Sequence, residues 1–479
     1  MDNSQKSKYK SLAKDTGLFT ISNFGSRILV FLLTPLYTSV LLTAEYGIAD
    51  LITTTIHFIY PILTLAISDA TLRYALDKNE DKRVVFGVST LFTLLSTVIL
   101  IVLKPSICLI NSSLDKYWFV FVVTYTLFNI HAYFSNFVKG LGKTGLFAAQ
   151  GLLQTLTIIV FNILFLVVFK FGLDGYLWST IIGFGIPIIV MFFSAKLYTY
   201  AIPIKIEKKL LMDMLKYSIP MIPTILAWAI NTSIDKYMII WMYNLGESGI
   251  YSVAHKIPTI ITTILTVFTQ AWQISVISNH GSKDESQYYS AVYKGLDFIS
   301  ISGCFFIILI CKTLAGFLFA KDYFIAWQYV PMLIISAMFS SHSGFLAAAY
   351  RAAKKTKSLF ISVMIGSVLN ITLNYFLLQT IGVLGAAIAT AVSFFFVWVV
   401  RVILIQKIVI VKIPILKTAI CYGLLFFIAT IKTIDLRWSS IIIIISYIIV
   451  CILKRDTIKS ILDFIVSIAK KTFGKKHIT

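Results

Sequence analysis

Charge is scarce in this sequence. Only 13% of its 479 residues are Asp, Glu, Lys or Arg, against about 25% in a soluble globular chain, and a folded surface with so little polarity does not stay in water. Cysteine is scarce too. The five present, Cys108, Cys304, Cys311, Cys421 and Cys451, form no CxxC pair and no Cys/His cluster. That excludes a disulfide framework and a zinc site and leaves them as small apolar side chains. Acidic residues number 21 against 42 basic ones, a net charge of +21. A nucleic-acid surface would gather that excess on one folded face. Here it is spread through short gaps between apolar runs, so it reads as a signal of membrane topology.

Apolar sequence fills the chain instead: 58% of residues are hydrophobic and the mean hydropathy is +0.87. Cutting the apolar runs at charge and Gly/Pro clusters gives spans near 17–42, 46–70, 84–103, 117–138, 146–169 and 175–195. Further spans follow near 217–242, 248–276, 293–319, 325–350, 358–379 and 382–404, then 414–431 and 438–453. The expected fold is therefore an all-α polytopic membrane protein of about 14 transmembrane helices. The first run follows Lys6, Lys8, Lys10 and Lys14 and is too long for a signal-peptide core, so it is expected to stay as a span. With the N-terminus in the cytoplasm, thirty-two basic residues fall in inner segments or at the inner ends of spans and six in outer loops; the remaining four, Arg27, Lys236, Lys256 and Lys312, lie deeper within spans. This asymmetry places both termini inside. The outer loops are short, the longest running from Lys104 to Lys116, which leaves no external domain for catalysis. No enzyme activity and no cofactor are expected.

The first twelve spans form two similar sets. Glu45-x-Gly47-Ile48 recurs as Glu247-x-Gly249-Ile250, Lys143-Thr144 with Asn162 recurs as Lys355-Thr356 with Asn374, and Gly172-x-x-Gly175 with Thr180 recurs as Gly382-x-x-Gly385 with Thr390. The shifts are about 202, 212 and 210, in order along the chain, as a duplication produces. The division is an N-terminal six-helix lobe at 1–205, a C-terminal six-helix lobe at 206–410, and at 411–479 two additional spans and a cytoplasmic amphipathic tail. Six is an even number, so the copies share one orientation about an axis along the membrane normal, with a substrate cavity expected between them.

Taking each span as a straight helix at about 100° per residue, Asp50, Thr54, His57, Pro61, Thr64 and Ser68 share one face of the second span. Ser252, Lys256, Thr259, Thr263, Thr266 and Gln270 repeat that stripe in the eighth. In the first span Asn23, Arg27, Thr34 and Thr38 align; in the seventh, Asn231 and Asp235 lie on a line beside that of Lys236. Arg27, Lys236 and Lys256 are candidates for binding an anionic head group, with Asn23, Thr34, Asn231 and Gln270 as its hydrogen-bonding partners. Intramembrane charges are costly and usually face a cavity. The other reading is that each cation satisfies backbone carbonyls or a carboxylate inside the bundle, or that Lys256 snorkels to an interface. Asp50, His57 and Asp235 are candidates for ion coupling, and His57 serves equally as a hydrogen-bonded packing residue.

These features resemble the polysaccharide transporter family of the multidrug/oligosaccharidyl-lipid/polysaccharide exporter superfamily. The segment from Gly17 to Asp69, with Arg27, Pro35 and Glu45-Tyr46-Gly47, and the run Lys139-Gly-Leu-Gly-Lys143 are similar to O-antigen and capsular repeat-unit flippases. The resemblance implies an undecaprenyl-diphosphate-linked oligosaccharide moved from the inner to the outer leaflet of the bacterial cytoplasmic membrane, with a polysaccharide polymerase and glycosyltransferases as partners. It implies the substrate-binding role for Arg27, Lys236 and Lys256. A multidrug/cation antiporter of the same superfamily would share the fold, although a net-positive cavity suits cationic drugs poorly. Flippases of the peptidoglycan lipid precursor typically carry more cavity arginine than the single Arg27.

Overall fold

The computed structural model describes residues 25–110, 112–201, 206–279, 284–353 and 355–473. Every major element in it is a helix, as a hydrocarbon environment requires, because only internal hydrogen bonds satisfy the backbone there. In chain order the principal helices are α1 (Gly25–Val40), α2 (Thr43–Leu63), α3 (Ile67–Leu76), α4 (Lys82–Val102), α5 (Trp118–Gly140), α6 (Thr144–Asn162), α7 (Gly172–Ser194), α8 (Lys208–Ser218) and α9 (Ile222–Met242). They continue with α10 (Leu245–Ala254), α11 (Pro258–Asn279), α12 (Glu285–Leu318), α13 (Val330–Ala352), α14 (Thr356–Ile381), α15 (Val383–Ile405), α16 (Ile415–Thr433), α17 (Ser439–Leu453) and α18 (Arg455–Phe473). Among the described residues nine helices are long and apolar enough to cross a membrane, or up to 11 if each of two bent pairs is one span. The other expected spans correspond to α1, α5 and α17.

The bends correct one expectation. The second and eighth spans are not straight: α2 and α3 meet at 63°, and α10 meets Pro258–Thr269 of α11 at 48°. Pro61 removes a backbone donor near the end of α2, and Leu65 and Ala66 then adopt left-handed conformations (φ 52° and 51°) that turn the chain. In the later pair the break falls immediately before Pro258. The polar stripes therefore do not run continuously along either span.

The repeated motifs have matching local structure. Lys143 and Lys355 precede α6 and α14 with nearly the same backbone, φ −84° and ψ 57° against φ −96° and ψ 58°. Asn162 and Asn374 are both fully buried, each bonded through Nδ2 to a carbonyl four residues earlier. Gly172 and Gly382 take left-handed φ values of 55° and 70°, which glycine adopts without the Cβ penalty.

The contacts divide the chain into two compact units, one reaching Val253 and including Leu318–Tyr323, the other formed by Ala254–Phe317 and the chain from Phe324 onward. In the first, one core packs Phe86, Phe134, Phe137, Met191 and Met214 and another packs Leu51, Ile52, Ile56, Phe121 and Tyr125. In the second, α13 is the central helix, buried along most of its length against neighbours that include α11, α15 and α16. Large apolar side chains such as Phe317, Ile415 and Trp241 are exposed, which suits a surface solvated by lipid.

Candidate functional site

The polar residues of the first unit converge where α2, α9 and α10 meet. Their approach is set by two glycines. A Cβ on Gly47 would collide with the carbonyl oxygen of Leu245, and a Cβ on Gly249 would collide with that of Thr43. Thr43 and Leu245 are related by the same 202-residue shift as the glycines, so the first turns of α2 and α10 cross in a self-complementary way. This is the physical content of the repeated Glu-x-Gly-Ile motif. Glu45 adds a cap, its Oε2 accepting from the Leu42 amide at 2.9 Å.

One turn further in, Asp50 gathers three donors. Lys236 Nζ lies 3.0 Å from Oδ1 and 2.9 Å from Oδ2, Ser252 Oγ donates to Oδ2 at 2.8 Å, and Thr54 Oγ1 reaches the same oxygen at 3.4 Å. Asp50 and Ser252 are again 202 positions apart, so positions matched by the sequence repeat touch each other. The Lys236 and Asp50 side chains keep 15% and 20% of their surface exposed. Tyr237, beside Lys236, donates to Thr55 Oγ1 at 2.8 Å.

Asp235 points elsewhere, as successive residues on a helix must. It is 1% exposed, and its carboxylate accepts from Tyr251 OH at 2.6 Å. Asn231 is buried one turn earlier, with Nδ2 donating to the Ala227 carbonyl at 3.0 Å. His57 lies farther along α2, exposed, its ring edge-on to Phe128 at 5.0 Å between centroids. In α1, Thr34 is buried and its Oγ1 has no hydrogen-bond partner among the described residues. Arg27 is exposed on a helix that Gly25 and Ser26 hold against α6. Lys256 lies at the break between α10 and α11, half-buried, in the second unit. Asn23 and the side chain of Gln270 lie outside the described residues.

The structure thus joins Asp50 to Lys236, which the sequence reading assigned to separate roles. It also adds Ser252, Tyr237 and Tyr251 to the site. Ser252 was legible as the repeat-mate of Asp50, whereas the two tyrosines lie in apolar runs with nothing to mark them.

The end of the unit beyond Gly47 is tied down by further contacts. Thr38 Oγ1 donates to the Leu318 carbonyl at 3.0 Å, Lys321 Nζ donates to the Ser39 carbonyl at 2.7 Å, and Tyr323 OH donates to the Leu42 carbonyl at 2.9 Å. The rings of Tyr37, Tyr46, Tyr176 and Tyr323 pack edge to face beneath them. Among the described residues no group of three His, Cys, Asp or Glu side chains is arranged to hold a metal.

Residues 12–279 match the family described as polysaccharide biosynthesis protein, and residues 223–376 match MatE. An uncharacterized membrane protein of Methanocaldococcus jannaschii is 28% identical over 200 residues, 41% of this chain and 46% of that protein. A probable low-salt glycan biosynthesis flippase of Haloferax volcanii is 25% identical over 179 residues, 35% of this chain and 38% of that protein. The chain therefore matches less than half the length of these relatives. The solved structure of a lipid II flippase in an inward closed conformation superposes with a TM-score of 0.68 at 20% identity, covering 93% of this chain and 99% of that one.

Proposed function

The chain belongs to the polysaccharide biosynthesis protein family of the multidrug/oligosaccharidyl-lipid/polysaccharide exporters, and from that premise we propose that it flips an undecaprenyl-diphosphate-linked oligosaccharide from the cytoplasmic to the outer leaflet. The head group carries the barrier, since a diphosphate and its sugars are poorly solvated by hydrocarbon while the polyprenyl tail is at home in it. The transporter need only shield the head, with the tail trailing in lipid.

The observation that carries this reading is the exchangeable pairing of Lys236 with Asp50. A partly exposed ammonium held by a carboxylate can pass to a phosphate oxygen without ever being left bare, and charge-assisted bonds of that kind are the strong ones. Asp50 comes from α2, Lys236 from α9 and Ser252 from α10, all within the first compact unit. With cytoplasmic termini, the Gly47/Gly249 crossing and the Asp50 cluster lie toward the outer face. They form a latch that keeps that side closed until the diphosphate takes Lys236 from Asp50. Rocking of the lobes then opens the outer side. Arg27 and Lys256 supply the remaining positive charge, Thr34, Asn23, Asn231 and Gln270 meet the sugars, and Asp50, His57 and Asp235 are the groups through which an ion would act. Moving an anion outward is favoured by a negative-inside potential by about 2.3 kcal/mol per charge per 100 mV.

The test is reconstitution into liposomes with a fluorescent lipid-linked oligosaccharide whose outer-leaflet appearance is read by an added lectin or reductant. Wild-type protein should accelerate flipping, and Lys236→Ala should not. Equal flipping by Lys236→Ala would remove the proposed latch. The neutralisation of Lys236 by Asp50 also supports a second reading, a cation antiporter, because it lowers the positive charge that would repel a cationic drug. Altered drug susceptibility of a deletion strain with intact surface glycan would favour that alternative.

A further inference from the structure

We propose that the second unit carries a proton-binding site made by Asp297, Tyr422 and His342 and bounded by Lys454, separate from the cluster around Asp50. Exchangeable groups follow one another there in a row. Lys454 Nζ lies 2.6 Å from Asp297 Oδ2, Tyr422 OH donates to Asp297 Oδ1 at 2.6 Å, and the same hydroxyl stands 3.4 Å from His342 Nδ1. All four residues are buried, with His342 at 0% exposed. They come from α12, α16, α13 and the residue just after α17. Arg455, next in sequence to Lys454, is fully out in solvent, its side chain 81% exposed. The row therefore begins at the edge of the unit and ends on an imidazole at its centre.

The end of the row separates this from an ordinary structural ion pair. A phenol has one proton to give, and Tyr422 gives it to Asp297, so toward His342 it can only accept, from Nδ1–H. The imidazole is then neutral with its lone pair on Nε2. That nitrogen is buried with no hydrogen-bond partner among the described residues. Packing alone does not call for such an open base, and buried polar atoms of this kind need an explanation. A proton delivered by hydronium breaks one of its O–H bonds and leaves water, forms one N–H bond at Nε2, and adds one positive charge to a site in which Asp297 and Lys454 otherwise cancel.

Each helix around the imidazole presents a defined group. From α12 come Asp297, Cys304 and Tyr293, the last accepting from Trp398 Nε1 of α15 at 2.8 Å. From α16 come Tyr422 and Cys421. From α15, Arg401 donates to the carbonyl of Ser343 at 2.6 Å, next to His342. Lys454 is the cation that faces Asp297, while Arg401 is held by the Ser362 hydroxyl and the Ser343 carbonyl. An imidazolium would compete with Lys454 for Asp297. The added charge attracts Asp297 through the intervening Tyr422 hydroxyl and repels Lys454, which loosens the hold on Lys454 and with it the junction of α17 and α18. This inference does not depend on which substrate the protein moves.

The experiment is hydrogen–deuterium exchange on the full chain in nanodiscs, at about pH 4 and about pH 8, a range wide enough to protonate a desolvated imidazole. In wild type, acidification should raise amide exchange in the segment spanning α17 and α18 by about tenfold beyond the intrinsic pH effect. His342→Gln should abolish that increment, and Tyr422→Phe, which keeps the ring packing, should move its midpoint to lower pH. An unchanged acid response in His342→Gln, no response in wild type, or an unmoved midpoint in Tyr422→Phe would each overturn the assignment. If His342→Gln does not fold, the Tyr422→Phe midpoint still decides. Liposomes that flip no glycan yet show this His342-dependent response would refute the flippase reading and leave the proton site standing.

Discussion

Two Asp–Lys pairs, one in each unit, differ chiefly in how far they are buried. The pair Asp50–Lys236 leaves 20% and 15% of its side chains exposed, whereas Asp297–Lys454 leaves 2% and 5%. Water at the first pair lowers the cost of parting the charges, so a competing anion can take the lysine. At the second, parting them would leave bare charges in a dry interior, and effective desolvation penalties there run to several kcal/mol per ion. Burial, more than distance, decides whether an ion pair is a latch or a rivet.

The largest expected effect tests the buried pair. Asp297→Ala strands Lys454 and should cost about 3–5 kcal/mol, read as a lowered melting temperature of the purified protein in detergent. A cost under about 1 kcal/mol would erase the contrast between the pairs. Lys236→Ala should leave folding and abundance near normal while glycan flipping falls by about 10- to 100-fold, the loss of one or two charge-assisted hydrogen bonds. Lys236→Arg should recover part of it, since the charge is kept but its shape changes.

A smaller effect, about 1–3 kcal/mol, is expected where the helices cross. Gly47→Ala and Gly249→Ala should each part α2 from α10, weaken the reach of Ser252 to Asp50, and do so about equally. Labelling of a cysteine introduced at Ala49 by a membrane-impermeant maleimide would show it. A strong effect from one glycine and none from the other would deny the self-complementary crossing. The smallest change is Thr34→Val, which removes a buried hydroxyl lacking a partner and should be neutral or stabilising by up to about 1 kcal/mol. Retained flipping in that variant would exclude Thr34 from substrate contact.

Much of the fold and part of the site were legible in the sequence. Apolar run lengths locate the helices because hydrocarbon thickness fixes how long they must be. The 202-residue shift pointed to Gly47/Gly249 and Asp50/Ser252, positions that the fold brings into contact. The bends were hidden: Pro61 is visible, but the left-handed turn at Leu65 and Ala66 uses residues with no special preference for it. The cluster around Asp297 also escaped notice. Its members lie as far apart as 157 residues, and Lys454, like Arg401, reads as an ordinary basic flank of a span. The available signals were an aspartate inside the ninth span and a histidine inside the tenth, neither near a motif.

The crossing of α2 and α10 is isologous in kind: one short motif meets its own repeat, the way a patch meets its copy in a two-fold dimer. Close approach at that seam rests on two glycines alone, while the next turn is free to differ, an aspartate on one side facing a serine on the other.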